Sequence, residues 1–163
     1  MPINPKDKSA YLYYVCKDCF NTPDNCTCSM WKTSTHDLLP LYLIRIDINI
    51  QRHLQVLKSK GYITEFSCES HTPYDGVQIG FITDYFGDTL PMPEYFKKKL
   101  VKKRGSQNHK YCFIESKYCK TAKAADKMTD EEFEALKKKH LDSLYDWCVS
   151  LPSARELDPM ECM

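Results

Sequence analysis

Cys16-Lys17-Asp18-Cys19 and Cys26-Thr27-Cys28 place four cysteines within thirteen residues near the start of the chain. Thiols spaced this closely usually share a metal ion, and two such pairs can surround a tetrahedral Zn²⁺ with four sulfurs at about 2.3 Å. The loop between the pairs carries residues that favour turns, namely Asn21, Pro23, Asp24 and Asn25. We therefore predict a structural zinc site with Cys16, Cys19, Cys26 and Cys28 as ligands. The same spacing leaves open His36 as a substitute ligand, two local disulfides, or free thiols.

The length and composition predict one domain, or one domain with an appendage. The chain has 163 residues, of which 42% are hydrophobic, enough for an ordinary core without help from metal. Its first residues lack the apolar run of a signal peptide, and no stretch approaches the ~18 apolar residues that cross a bilayer. We expect a cytoplasmic protein with no membrane partner, in which nine cysteines serve as metal ligands and buried thiols.

Hydrophobic patterns and turn residues predict the elements that follow the cysteine loop. Strands are expected over residues 41–47, 62–68, 76–82 and 111–115, and a helix over residues 48–60, ended by Gly61. A second helix is expected after Pro91 and Pro93, with Tyr95, Phe96, Leu100 and Val101 on it. A last helix should begin at a capping box of Thr129 and Glu132 and run to residue 151.

This order of elements predicts an α+β fold, a ferredoxin-like βαββαβ sandwich with an N-terminal zinc knuckle and a C-terminal helix. The expected divisions are a knuckle over residues 1–40, a core domain over residues 41–151 and a flexible tail over residues 152–163.

The turn after the second predicted strand, Ser67-Cys68-Glu69-Ser70-His71, brings a thiol, a carboxylate and an imidazole together. Such a turn can hold a metal, or the imidazole can take the proton of the thiol. An enzyme built here would use Cys68 and His71, with Asp75 as helper. The alternative is a buried, inert Cys68 and a turn histidine. A second zinc site that adds His109 and Cys112 is disfavoured, since these residues begin a strand at the other end of the predicted sheet.

The run from Leu54 through His71, which contains Lys60-Gly61-Tyr62-Ile63-Thr64 and Ser67-Cys68, resembles a group of small uncharacterised bacterial and phage proteins. Their pattern is Lys-Gly-Tyr-x-Thr followed by Ser/Cys-Cys-Ser-Gly-His, and the resemblance covers residues 16–81. Glu69-Ser70 replaces the Ser-Gly step of that group. The resemblance implies a phage accessory or counter-defence role in the bacterial host cytoplasm. Thr64-x-x-Ser67-Cys68 is also distantly similar to the signature of the tRNA wybutosine-synthesis methyltransferases, which implies nucleic-acid modification.

The net charge of +1 hides a basic segment. Residues 91–120 carry nine Lys or Arg against Glu94 and Glu115, whereas the segments on either side are acidic. Candidate phosphate contacts are Lys97, Lys98, Lys99, Lys102, Lys103, Arg104 and Lys110. Tyr111 and Phe113 alternate with Cys112, so their rings can share a strand face and stack on bases. The alternatives are a solvated helix face and a contact with an acidic protein surface.

The motifs of several enzyme classes are missing. The sequence has no phosphate-binding loop, no Gly-x-Ser-x-Gly elbow and no His-Glu-x-x-His, and it has only five glycines. We therefore expect a zinc-stabilised binding module that contacts nucleic acid or a nucleic-acid-handling protein. An enzyme centred on Cys68 and His71 is the alternative, and the sequence does not indicate the oligomeric state.

Overall fold

The computed structural model describes residues 12–22, 25–28, 43–69, 73–88, 90–105 and 110–157. His36, Ser70, His71 and His109, named above, lie outside these residues, as does the end of the chain from residue 158.

A two-stranded antiparallel sheet frames the cysteine loop. Strand β1 spans Leu12–Cys16 and strand β2 spans Leu43–Asp47, with Cys16 opposite Leu43 and Leu12 opposite Asp47. The prediction of a strand over residues 41–47 is confirmed by β2, whereas β1 was not predicted. The pairing joins the region predicted as a knuckle to the region predicted as the core domain.

A four-stranded antiparallel sheet forms the centre of the fold. Its strands are β3 (Thr64–Cys68), β4 (Asp75–Phe81), β5 (Phe96–Lys102) and β6 (Lys110–Lys117), in the spatial order β3-β4-β6-β5. The predicted helix after Pro93 is wrong, because its residues form β5. In β5, Leu100 lies opposite the fully buried Cys112 and Lys102 lies opposite Lys110, so these residues pair across a hairpin.

The ferredoxin-like strand order is also not what the structure has. That order needs a helix between its third and fourth strands and the strand at 41–47 in the same sheet. Here β5 replaces the helix, and β2 pairs with β1 in the smaller sheet. The mixed α and β architecture with an N-terminal cysteine cluster is confirmed.

Four helices complete the described structure. A 3₁₀ turn, Ile48–Ile50, leads into α1 (Gln51–Ser59), which ends where Gly61 takes the left-handed φ of 88°. Helix α2 spans Ala122–Asp126, α3 spans Asp130–Ser150 and α4 spans Ala154–Leu157. Thr129 caps α3 as predicted, since its side chain accepts a hydrogen bond from the amide of Glu132. In the described parts of the chain, no helix has the length and apolar character needed to cross a membrane.

The helices pack on one face of the four-stranded sheet. Val77, Ile79 and Phe81 of β4 and Ile114 of β6 are fully buried there, together with Leu144 of α3. Most of the buried apolar side chains of the described residues form one cluster, which also takes in Val15, Phe20 and Ile46 from the smaller sheet and its loop. The opposite face of the four-stranded sheet carries Phe66, Phe113 and Lys99. It forms one candidate functional site, and the cysteine cluster forms the other.

Candidate metal centre and basic sheet face

The four predicted cysteine ligands converge. Their Sγ atoms all lie within 4.8 Å of one another, and those of Cys19 and Cys26 are 3.6 Å apart. Ligands of a tetrahedral Zn²⁺ at about 2.3 Å are about 3.8 Å from each other. A disulfide requires about 2.0 Å, and all four cysteines are free thiols. The arrangement therefore fits a metal ion, and none of the four sulfurs is within disulfide distance of another.

The two arms of the cluster, Cys16 to Cys19 and Cys26 to Cys28, have the same pattern of local hydrogen bonds. The amide of Asp18 donates to the Sγ of Cys16 (3.4 Å), and the amide of Cys28 donates to the Sγ of Cys26 (3.3 Å). After the first arm, Phe20 adopts a left-handed φ of 58°, and its amide donates to the carbonyl of Cys16 (2.8 Å). Each arm thus directs an N–H group at its first sulfur, which favours a thiolate there.

Cys16 and Cys28 resist ionisation unless a cation is present. Burial raises the pKa of Cys16, and hydrogen bonding with Cys26 and Cys16 raises the pKa of Cys28 to about 12. Four negatively charged sulfurs at this distance repel one another. A divalent ion at their centre attracts all four and so offsets the repulsion. The donor set therefore suits a cation that prefers thiolate ligands.

Helix α1 holds the cysteine loop in place. Gln51 Nε2 donates to the carbonyl of Phe20 (2.7 Å), and Gln55 Nε2 donates to Oδ1 of Asn21 (2.8 Å). Because Phe20 is buried and directly follows Cys19, these bonds tie one arm of the cluster to the core. Four protein ligands also leave no open position on a tetrahedral metal, which is the arrangement of structural sites.

The predicted basic residues lie mainly on the edge strand β5, where they alternate between the two faces of the sheet. Lys98 is on the helix side: its Nζ is 2.8 Å from Oδ2 of Asp84 and 2.6 Å from the carbonyl of Gly87. Lys97 and Lys99 are exposed on the opposite face. Within the described ranges, Lys98 is the one lysine of β5 with a carboxylate within 4 Å. Lys98 therefore supports the fold, whereas its neighbours are available to a ligand.

Aromatic rings share the face that carries Lys97 and Lys99. The register places Phe66, Gly80, Phe113 and Lys99 in one row across the sheet. The centroid of the Phe113 ring is 6.4 Å from that of Phe66 and 6.4 Å from that of Tyr111. The prediction that Tyr111 and Phe113 share a face agrees with this geometry. Phe66 was not predicted as part of it, because only the pairing of β3 with β4 places Phe66 in this row.

The residues proposed for an enzyme are not brought together among those described. Cys68 is half-buried opposite Gln78, whereas Asp75 is exposed near Lys117 at the start of β4. Since His71 is outside the described residues, catalysis at this turn stays a prediction.

A buried charged cluster that sequence reasoning missed lies next to Cys68. Glu69 is fully buried, and its Oε1 is 3.8 Å from Nζ of Lys137, which is also buried. The amide of Glu69 donates to Oδ2 of Asp47 (2.7 Å), and the amide of Asn49 donates to Oε2 of Glu69 (3.1 Å). Burial raises the pKa of Glu69, and Lys137 opposes that shift. The cluster joins β2, the end of β3 and α3.

Comparison of the chain with protein-family models, with curated proteins and with solved structures finds no match. The resemblances to known groups of proteins therefore stay predictions.

Proposed function

We propose that this protein is a zinc-stabilised module that binds nucleic acid through the lysine-rich edge of its four-stranded sheet. The observation that carries the proposal is the position of Lys97 and Lys99. Both are exposed on the face opposite the helices, and Lys99 lies across from Phe113. Cations beside aromatic rings suit a ligand that offers both phosphates and bases.

The metal in this proposal is Zn²⁺, with a structural role. Zinc accepts four thiolates at tetrahedral positions and has no redox chemistry, and it is the usual metal of such sites. The eight cysteines that the structure describes are all free thiols, which supports a reducing compartment such as the cytoplasm. Elemental analysis of the purified protein should give one zinc per chain, and iron in its place would overturn this assignment.

Nucleic acid explains the surface better than an acidic protein does. An acidic protein would need only the charges, and these continue to the end of the strand at Lys102 and beyond it at Lys103 and Arg104. Nζ of Lys103 lies 4.6 Å from the centroid of the Tyr111 ring, so charge and ring form one surface. A ligand with stacked or stackable bases uses both parts.

The test is binding of fluorescently labelled oligonucleotides at several salt concentrations. We expect binding that weakens as salt rises, because each neutralised phosphate releases counterions. Lys97→Glu/Lys99→Glu should weaken binding at least about tenfold and flatten the salt dependence by roughly 1.4 in log–log slope for single strands, two contacts at about 0.7 each.

The matched control is Lys123→Glu/Lys127→Glu, which makes the same charge change at exposed positions on and just after α2. It should bind like the unaltered protein. Equal loss in both variants would mean that only net charge matters, which contradicts a site on β5. Failure to bind any oligonucleotide at low salt, with retention on an immobilised acidic polypeptide, would favour a protein partner instead.

A further inference from the structure

The uncovered face of the four-stranded sheet has an aromatic surface of its own. Phe66 is 47% exposed, and Tyr111 and Phe113 are half-buried beside it. A shallow groove on this face is lined by Glu65, Phe66, Gln78, Tyr111 and Phe113. Large rings left at a water interface in this way are unusual unless something packs on them.

Gly80 makes the arrangement of the rings possible. A Cβ built at this position would lie 2.8 Å from Cε1 of Phe113, closer than real contacts allow. The missing side chain lets the Phe113 ring lie over the strand and meet Phe66 from β3, at an interplanar angle of 63°. The glycine thus leaves the ring positioned at the surface.

The spacing of the rings selects the form of nucleic acid. Tyr111 and Phe113 have centroids 6.4 Å apart and ring planes inclined by 59° to each other, so bases that lie flat on both rings cannot stay stacked on each other. Bases that stack on both rings must therefore be separated from each other, and their faces must be free. Only an unpaired strand meets both conditions.

The charges indicate how such a strand lies. Lys97, Lys99 and Lys103 border the rings on the β5 side, whereas Glu115 lies on the central strand β6 and Glu65 lies on the opposite edge strand β3. Nε2 of Gln78 donates to Oε2 of Glu115 (3.0 Å), so the centre offers an amide and a carboxylate. Phosphates are attracted to the lysine border and repelled from the centre, where base edges find hydrogen-bond partners.

Resting on the nucleic-acid function proposed above, we propose that the ligand is single-stranded, with successive bases stacked on Tyr111 and Phe113 and its backbone along β5. The ring of Phe66 then lies beside the base that stacks on Phe113.

The experiment compares a labelled single strand of mixed sequence with a duplex of the same sequence and length. The unaltered protein should prefer the single strand by about tenfold or more. Tyr111→Leu and Phe113→Leu should each weaken single-strand binding about fivefold or more, because stacking contributes roughly 1–3 kcal/mol per base. Since neither change removes a charge, the salt dependence should stay the same.

Tyr145→Leu is the matched control, because this half-buried ring lies on α3, away from the open face. It should leave both affinities unchanged. If Phe113→Leu fails to fold, Tyr111→Leu and Phe66→Leu decide the question.

The possible failures are distinguishable. Equal affinity for single strand and duplex, or ring variants that bind like the unaltered protein while Lys97→Glu/Lys99→Glu loses binding, would overturn the stacking inference and leave the proposed function standing. Absence of binding to either form at low salt would overturn both.

Discussion

His140 is a buried side chain through which pH acts on this fold. It is 3% exposed, and its ring stacks on that of Tyr95 at a centroid distance of 4.5 Å. Oγ of Ser116 lies 2.8 Å from Nδ1 of His140 and accepts a hydrogen bond from the amide of Val77 (3.0 Å). The hydroxyl proton is then free to go to Nδ1, which leaves the proton of a neutral imidazole on Nε2. Burial, helped by the neighbouring Lys139, lowers the pKa of His140 to about 4.

We expect His140 to make the fold less stable in acid. The unfolded chain takes up a proton near pH 6.5, whereas the folded protein does so only near pH 4. Its contribution to stability is therefore complete above pH 6.5 and is lost as the pH falls towards 4. His140→Asn keeps an acceptor for Ser116 without a titrating group, so its urea unfolding free energy should change less between pH 7.5 and 4.5. The comparison is made in excess zinc, and parallel curves for the two proteins would contradict the prediction.

At the scale of elements, the C-terminal end of α3 is held by the residue that follows another helix. Nζ of Lys60, which follows α1, donates to the carbonyls of Cys148 (2.9 Å), Val149 and Leu151 (2.6 Å). Helix α3, described over its whole length, has no basic residue in its own last turn. Lys60 therefore supplies the positive charge that the end of a helix dipole favours.

The segment that follows α3 is held as well, since the hydroxyl of Tyr62 donates to the carbonyl of Pro152 (2.7 Å). Residues 152–157 of the predicted tail thus include helix α4 and make this contact with the core, whereas residues 158–163 lie outside the described residues.

Lys60→Met should lower the free energy of unfolding by about 1–2 kcal/mol, because a partly buried cation at a helix end and its hydrogen bonds are lost. Hydrogen exchange should speed up at residues 148–154 more than elsewhere. Lys58→Met is the control, since Lys58 is an exposed residue of α1. A uniform effect on exchange, or equal losses in the two variants, would show that Lys60 does not cap α3.

The elements that the sequence predicts correctly are those whose signals are local. Helix α3 has its cap at Thr129, α1 has Gly61 at its end, and the cysteine ligands lie within one loop. Strand β5 has no such signal. Phe96 and Leu100 are four residues apart, a spacing that places them on one side of either a helix or a strand. Only pairing with β6, a contact with a distant segment, decides between the two.

The parts of the candidate sites differ in the same way: some depend on local sequence signals, and others depend on contacts between distant segments. The metal cluster is predictable from the spacing of its residues alone. The ion pair of Glu69 with Lys137, and the row from Phe66 to Lys99, require that β3, β6 and α3 come together in space. A single sequence gives no register for distant strands, so these partners become visible only in the fold.

At the scale of the whole molecule, the metal loop belongs to the central core. Val15 and Phe20, on either side of the first cysteine pair, are buried in the same cluster as Leu54 of α1 and Trp147 of α3. We therefore expect loss of the proposed metal to expose apolar surface that the helices also use. We expect the loop, the smaller sheet and the helical layer to unfold together rather than in sequence.

Metal removal should accordingly destabilise the entire chain. An ion that binds only the folded state adds about 4 kcal/mol at a free concentration 1,000 times its dissociation constant. Chelation, or Cys19→Ser, should lower the melting temperature seen by far-ultraviolet circular dichroism and by Trp147 fluorescence in a Trp31→Phe background, and the two transitions should coincide. Cys68→Ser, which alters a thiol outside the cluster, should keep the response to zinc. If chelation leaves the Trp147 transition in place, the metal loop is an independent unit, and the shared core does not couple it to the sheet.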